Sequence, residues 1–331
     1  MHLQKQEYLF QRIREKLPPG ESLVDVVAGL LFISSDSAYR RIRGETGLVL
    51  EEAAILCEHF SISLDSLLGS GSNTITFQYK SLSNADYSFE SYLSDILQNL
   101  KRAASGEIIY LTKDIPLFYN FLYKPLFAFR YFFWMKSILQ HPDFKKKKFS
   151  FDLLPSHIEA LGNEIAEAYC KIPSIEIWNT ECINSSISQV EYYRDADYFE
   201  SAKDIILIYQ SMATLLDHLK KQAEYGAKFL PGENPEMKRP NFQFFYNRVV
   251  LGDNTIIVKA GGRLVLYLAY DVLNYMFTQD AAFARDILSK IEMLIRRATL
   301  LSNTSDRQRN VFFNLLMRKI PEVSNHSKTI S

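Results

Sequence analysis

Apolar positions along the first seventy residues recur at helical spacing in short blocks separated by turn residues. Over residues 4–17, Tyr8, Leu9, Ile13 and Leu17 fall near one face, and Pro18-Pro19-Gly20 ends the run. Residues 21–32 bring Leu23, Val24, Val27, Leu30 and Leu31 together for a second helix. After a turn at Phe32-Ile33-Ser34, residues 35–43 predict a third helix, closed by Gly44 where a left-handed C-cap residue belongs. Residues 50–60 predict a fourth, with Glu51 and Glu52 in the first turn complementing the helix dipole, and 64–68 a short fifth. Gly69-Ser70-Gly71-Ser72-Asn73 is small and polar, the best linker candidate in the chain.

Beyond that run the pattern is mixed. Spacing near 3.6 predicts helices over 88–104, 124–140, 155–172, 201–225, 280–301 and 306–320. Short strands are expected at 107–112 and 174–178. The clearest β signal comes late, over 242–251, 255–259 and 263–270, punctuated by Gly252-Asp253-Asn254 and Gly261-Gly262. It reads as a three-stranded antiparallel meander. The expected fold class is α+β, mainly helical. A helical domain spans 1–69, a linker 70–87, a larger helical domain with a small antiparallel sheet 88–322, and a flexible tail 323–331. No internal repeat is visible.

Composition narrows the function classes. The 331 residues are 47 % apolar and 23 % charged, enough for two cores. Net charge is zero, so binding to nucleic acid must come from a local patch rather than a global field. Cys57, Cys170 and Cys182 are odd in number, with no C-x-x-C. They form neither a disulfide framework nor a zinc site, and fit a reducing, cytoplasmic setting. The histidines are scattered, and no metal or cofactor is expected. Lys5, Glu7, Arg12 and Arg14 interrupt any apolar leader. Residues 116–135 are aromatic enough to mimic a membrane span but contain Lys124, Pro125 and Arg130, so they are expected to be core, with no membrane partner. The four-lysine run 145–148 reads as a solvated loop. Paired carboxylates, a Cys–His pair and a phosphate loop are all missing, so no enzymatic activity is expected.

The segment 28–44, AGLLFISSDSAYRRIRG, carries the chemistry. On a helical wheel Ala38 and Ile42 share one side of the third helix with Tyr39 and Ser35 close by, while Asp36, Ser37, Arg40 and Arg43 occupy the other with Arg41 and Gly44 at its edges. Arginine grips guanine O6 and N7 bidentately, and serines hold phosphates. The first turn of such a helix lies nearest the bases. The candidate DNA contacts are therefore Ser35, Asp36, Ser37, Tyr39, Arg40, Arg41 and Arg43. Residues 1–70 hold seven Lys/Arg against ten Asp/Glu, a balance of −3, so the placement of cations matters more than their number.

This segment resembles the Cro/repressor-type (XRE-like) helix-turn-helix family, in its variant built on S-x-D-x-A-Y-R-R-x-x-G. The matching residues are Ala28, Ile33-Ser34, the run Asp36-Ser37-Ala38-Tyr39-Arg40-Arg41, and Gly44. The stretch 48–68, ending in F-x-I-S-L-D-x-L, resembles the following helices. The resemblance covers about sixty residues. Phe32 stands where the family usually has Gly, the Gln that often opens the second helix is missing, and Arg41 takes a position often filled by a bulky apolar residue. Ala260-Gly261 matches the dipeptide at which some repressors cleave themselves, but the helical sequence after it leaves no room for a peptidase core. The resemblance implies a bacterial transcription regulator binding double-stranded DNA as a homodimer, with a C-terminal domain for dimerisation or for sensing a small-molecule effector. The helices over 201–225 and 280–301 are the candidate dimer interface. A protein-interaction adaptor, or an enzyme carrying the same headpiece, are the alternatives.

Overall fold

Residues 2–18, 20–60, 62–64, 75–80, 88–248, 252–303 and 305–321 are described by a computed structural model, which falls into two units, Met1–Phe77 and Gln78–Ser331. The fold is mixed α+β.

The first unit contains α1 (His2–Lys16), α2 (Leu23–Leu31), α3 (Ser35–Ile42) and α4 (Leu50–His59), each near its predicted bounds. Their apolar stripes meet in one core of Leu9, Phe10, Ile13, Val27, Ala38, Leu56 and Cys57, extended by Phe60 and Ile62. Polar ties fix the connections. The Gln6 side-chain amide donates to the carbonyls of Arg41 (2.7 Å) and Thr46 (2.8 Å), and its oxygen accepts from the Leu48 N–H (2.9 Å). One α1 side chain thus satisfies the backbone leaving α3. The predicted linker 69–73 and tail 323–331 lie outside the described residues, as does the fifth helix apart from Leu64.

The second unit is built on an eight-stranded mixed sheet of order β1-β7-β6-β5-β2-β3-β4-β8. The strands are β1 (Gln78–Tyr79), β2 (Glu107–Leu111), β3 (Ser174–Trp178), β4 (Phe242–Tyr246), β5 (Thr255–Ala260), β6 (Arg263–Ala269), β7 (Tyr275–Thr278) and β8 (Thr299–Leu300). At the centre β2, β3 and β4 run parallel, with Ile109 opposite Ile175 and Ile175 opposite Gln243, while β5 joins β2 antiparallel. Parallel neighbours need long crossovers. Here these carry α6 (Lys124–Phe133) and α7 (Ser156–Lys171) between β2 and β3, and α8 (Asn184–Asp195) and α9 (Ala202–Tyr225) between β3 and β4. Helix α5 (Phe89–Arg102) precedes β2, α10 (Ala281–Arg296) follows β7, and α11 (Asp306–Met317) closes the fold.

Strand alternation sorts the two faces. Ile108, Tyr110, Trp178, Phe242 and Phe244 join a large aromatic core with α5 to α9 and α11. Ile109, Leu111, Ile177, Ile257 and Leu266 face the other way, onto Ala284, Ile287, Leu288 and Ile291 of α10. Segment 116–135 supplies the large core: Phe121, Phe127, Phe129 and Phe132 are all buried, each burial worth roughly 1.5–3 kcal/mol. Gly162 lets α7 approach this cluster, since a Cβ there would stand 2.4 Å from the Phe127 ring. No helix among the described residues is long and apolar enough to cross a membrane.

Several expectations need correction. The sheet is neither small nor purely antiparallel. The strand predicted over 242–251 leaves the meander and pairs parallel with β3, because Phe242 and Phe244 bury under α9 and α11; the meander is β5-β6-β7. Gly252-Asp253-Asn254 therefore lies on the connection that returns across the sheet to β5. Gly261 (φ +56°) and Gly262 (φ +73°) do turn a hairpin, bringing Ala260 opposite Arg263; two consecutive positive φ values are what a type I′ turn requires. Gln78 and Tyr79, inside the stretch read as linker, pair with β7. The helix expected to run to residue 301 stops at Arg296, and β8 follows. Both candidate dimer helices turn their apolar stripes inward: Ile208, Met212, Leu215 and Leu219 of α9 lie in the large core, and the stripe of α10 covers the sheet.

Candidate nucleic-acid interface

Helices α2 and α3 meet at a three-residue turn whose ends are both closed by hydrogen bonds. Phe32 adopts the left-handed conformation (φ 53°, ψ 45°), and the Ile33 N–H reaches back to the Ala28 carbonyl at 3.1 Å. Helix ends commonly use such a residue, but usually glycine, because a Cβ crowds the following carbonyl. Phe32 is 95 % exposed, so its ring gains no packing in return. This is the position at which the resembling family has Gly. Ser34 then caps α3: its hydroxyl oxygen accepts from the Ser37 N–H (3.3 Å) and its hydroxyl donates to Ser37 Oγ (2.9 Å). At the far end Gly44 (φ +75°) ends α3, with the Glu45 N–H on the Arg40 carbonyl (2.9 Å) and the Gly44 N–H on the Arg41 carbonyl (3.0 Å). That pair of bonds is a Schellman motif.

The faces of α3 follow the wheel at Ala38, Asp36, Arg40 and Arg43 but differ from it at Ser35 and Tyr39, which it sets beside the inner side and which are exposed, and at Ser37. Ala38 is fully buried against the core, and its methyl is small where the helix must approach its neighbours. Ser35, Asp36, Tyr39, Arg40 and Arg43 are exposed, and Ser37 is half-buried. Arg40 stands 3.5 Å from Asp36 one turn earlier, an exposed pair that competes weakly with another ligand. Arg43 lies over the Tyr39 ring (5.5 Å to its centre) and 3.5 Å from Glu45. The surface thus offers two guanidinium groups, a phenol, a carboxylate and a serine first turn.

Arg41 departs from that surface. Its Nε donates to Glu52 Oε2 (2.9 Å), its Nη2 to Glu52 Oε1 (2.8 Å) and its Nη1 to the Ser37 carbonyl (3.3 Å). Glu52 Oε2 also accepts from the Val49 N–H (3.3 Å), holding the start of α4. The hydrogen bond from Arg41 draws the Glu52 carboxyl below its ordinary range against the opposing effect of burial, and the same bond raises Arg41. A charged pair thereby replaces the apolar contact expected at this position. Glu52 and Gln6 are the positioning residues that sequence reading missed. Glu52 had a signal, the third position of its helix, from which a carboxylate reaches back to the cap.

The second unit holds a separate polar centre. Glu176, fully buried on β3, accepts from the hydroxyls of Tyr119 (2.6 Å) and Tyr169 (2.5 Å) and from Trp178 Nε1 (2.8 Å). Burial raises its pKa, opposed by the nearby Lys228 ammonium. Its signal in sequence was an acid at an inward strand position. Arg130 is likewise buried, with Asn120, Gln189 and Ser186 as its partners. In the lysine run Lys145, Lys146 and Lys147 are exposed and Lys148 pairs with Asp197 at 2.6 Å, while the Lys136 ammonium donates to the backbone carbonyls of Phe144, Lys145 and Lys147. Among the described residues no group of three His, Cys, Asp or Glu is disposed to hold a metal. Comparison with family models, with curated proteins and with solved structures gives no match.

Proposed function

We propose that the chain is a DNA-binding transcription regulator whose first unit is a helix-turn-helix with α3 as its reading helix. The observation that carries this reading is the division of α3: Ala38 fully buried on one side, and Ser35, Asp36, Tyr39, Arg40 and Arg43 exposed on the other. Arg40 and Arg43 act as the base- or phosphate-gripping forks, and the serine-rich first turn contacts the backbone. Arg41 is a positioning residue that fixes α3 against α4 through Glu52. With an excess of acids in the headpiece, affinity rests on these few contacts and on doubling by a homodimer. Helix-turn-helix dimers use half-sites about one helical turn, roughly 34 Å, apart. The second unit supplies dimerisation and effector sensing, in a cytoplasmic setting.

Selection from random DNA with the full-length protein tests the reading. A recovered motif, palindromic for a dimer, supports it; recovery of none, with Arg40→Ala/Arg43→Ala behaving like the parent, overturns it. A second reading draws on Phe32. A large ring held in a strained turn and almost wholly in solvent is also what a protein-docking headpiece would display. In that case DNA selection fails, and a binding partner is lost on Phe32→Ala while Arg40→Ala keeps it.

A further inference from the structure

Where α7 ends and the chain after α9 returns to β4, the second unit has a cleft of about 410 Å³. That is within the roughly 300–1,000 Å³ range of small-molecule sites. Lys228 is among its lining residues and is the most deeply buried cation there. The residue is 2 % exposed, its ammonium donates to the Tyr169 carbonyl at 2.7 Å, and it lies 3.8 Å from the centre of the Tyr169 ring. The nearest buried acid, Glu176, already accepts from Tyr119, Tyr169 and Trp178, and no carboxylate is in ion-pair contact with Lys228 among the described residues. An ammonium has three donors, and buried charges are ordinarily paired.

The rim adds positive charge. Lys171 pairs with Glu167 (2.6 Å) and Lys238 with Glu233 (2.7 Å), while Arg239 is exposed and has no ion-pair partner among the described residues. Four cations therefore face two carboxylates. The frame is fixed: the Asn241 side chain accepts from the Lys228 N–H (2.8 Å) and donates to the Cys170 carbonyl (2.9 Å).

We infer that this cleft binds a small molecule through an oxyanion group, phosphate or carboxylate, with the buried Lys228 and the exposed Arg239 as its charge partners. The site is independent of the DNA-reading surface and is tested without DNA. Burial lowers Lys228 to about 8, with Glu176 and Cys170 pulling the other way. The thiol of Cys170 is pushed up to about 12 and stays neutral, and Glu233, Lys238, Lys171, Glu167 and Arg239 complete the charges around the cleft. A bound oxyanion favours the ammonium, so affinity is highest below pH 8 and falls as pH rises through it.

The test is calorimetric titration of the full chain with sulfate, phosphate and succinate at fixed ionic strength. Sulfate keeps its charge throughout the pH range used, so any pH dependence belongs to the protein. Saturable binding of sulfate and phosphate assigns a phosphate-type ligand, and of succinate alone a carboxylate. Either should weaken about tenfold in Arg239→Ala, as for loss of one charge-assisted hydrogen bond, and by a similar factor at about pH 9.5. Lys228→Met should abolish it, and the exposed Arg239→Ala keeps the test valid if the buried change impairs folding. Failure of all three anions to saturate, or binding indifferent to Arg239→Ala and to pH, overturns the inference.

Discussion

Arg41 and Glu52 form a two-pronged ion pair, 2.9 and 2.8 Å along its two arms, that ties α3 to the first turn of α4. The pair is mostly shielded, with about a sixth of each side chain exposed, and its geometry is the fork-on-carboxylate arrangement that gives charged hydrogen bonds their strength. Glu52→Gln should lower the unfolding free energy of the first unit by about 1 kcal/mol. Thermal unfolding of the full chain, followed with Arg41→Ala and the double variant, checks this. The two single losses should add to clearly more than the double loss.

The same pair sets an acid response. Because Arg41 holds the Glu52 carboxyl below its unfolded value, the stabilisation is complete above the ordinary carboxylate range and disappears as pH falls through the depressed folded value. Stability measured between about pH 6 and pH 3 should fall less steeply in Glu52→Gln than in the parent protein. Equal slopes would mean that the pair does not persist in solution.

Arg40→Ala and Arg43→Ala should each weaken binding to a selected DNA site by about 1–3 kcal/mol if the residue grips a base. If it contacts phosphate instead, the loss should be uniform across sequences and the salt dependence should drop by about one counterion. Both side chains are well exposed, so unfolding should move by less than about 0.5 kcal/mol. Fluorescence anisotropy at several salt concentrations separates these outcomes.

Phe32→Gly should stabilise the first unit. Relief of the left-handed strain, roughly 1–2 kcal/mol, exceeds the entropy that glycine adds to the unfolded chain, roughly 0.5–1 kcal/mol. The exposed ring forfeits no packing when removed. A rise in melting temperature with unchanged DNA affinity is expected, and a fall would show that the ring is held by contacts in the folded chain.

Gly162→Ala should destabilise the second unit although alanine is the better helix former. The added methyl would meet Phe127 at 2.4 Å and Phe121 at 3.2 Å, and overpacking of this kind costs about 1–3 kcal/mol against roughly 1 kcal/mol of helix propensity gained. Chemical denaturation of the variant reads the sign directly.

Local chemistry explains what was legible in the sequence. The four headpiece helices, the Gly44 terminator, the Ser-rich start of α3 and the Gly261-Gly262 hairpin are each specified by residues within a few positions of one another. Strand partners are not: Phe242–Tyr246 looks the same whether it pairs with β5 or β3, and burial of Phe242 and Phe244 under distant helices decides. Helix α8 does carry a helical signal, Ile187, Val190 and Tyr193 at i, i+3 and i+6 on the core side, but polar Asn184, Ser185, Ser186, Ser188 and Gln189 surround it and dilute the pattern. At the candidate interface the exposure of Asp36, Arg40 and Arg43 was readable from the period of α3, whereas that of Ser35 and Tyr39 was not, since the wheel sets both beside the inner side. The diversion of Arg41 was not, since its partner is eleven residues away on another helix. Lys228 was invisible for the same reason, its environment being assembled from α7, β3 and a returning loop.

The sheet order has a consequence for how the chain is made. β2 sits mid-sheet but pairs with β5, and the Tyr92 hydroxyl on α5 donates to the Leu273 carbonyl, 181 residues further on. During synthesis the second unit therefore waits, with its central strand unpaired on one side, until nearly the whole chain has emerged. The first unit closes its core from residues 9 to 62. The headpiece is thus able to fold on the ribosome long before its companion, and chaperone demand should concentrate on the exposed strands 107–111 and 174–178 during that interval.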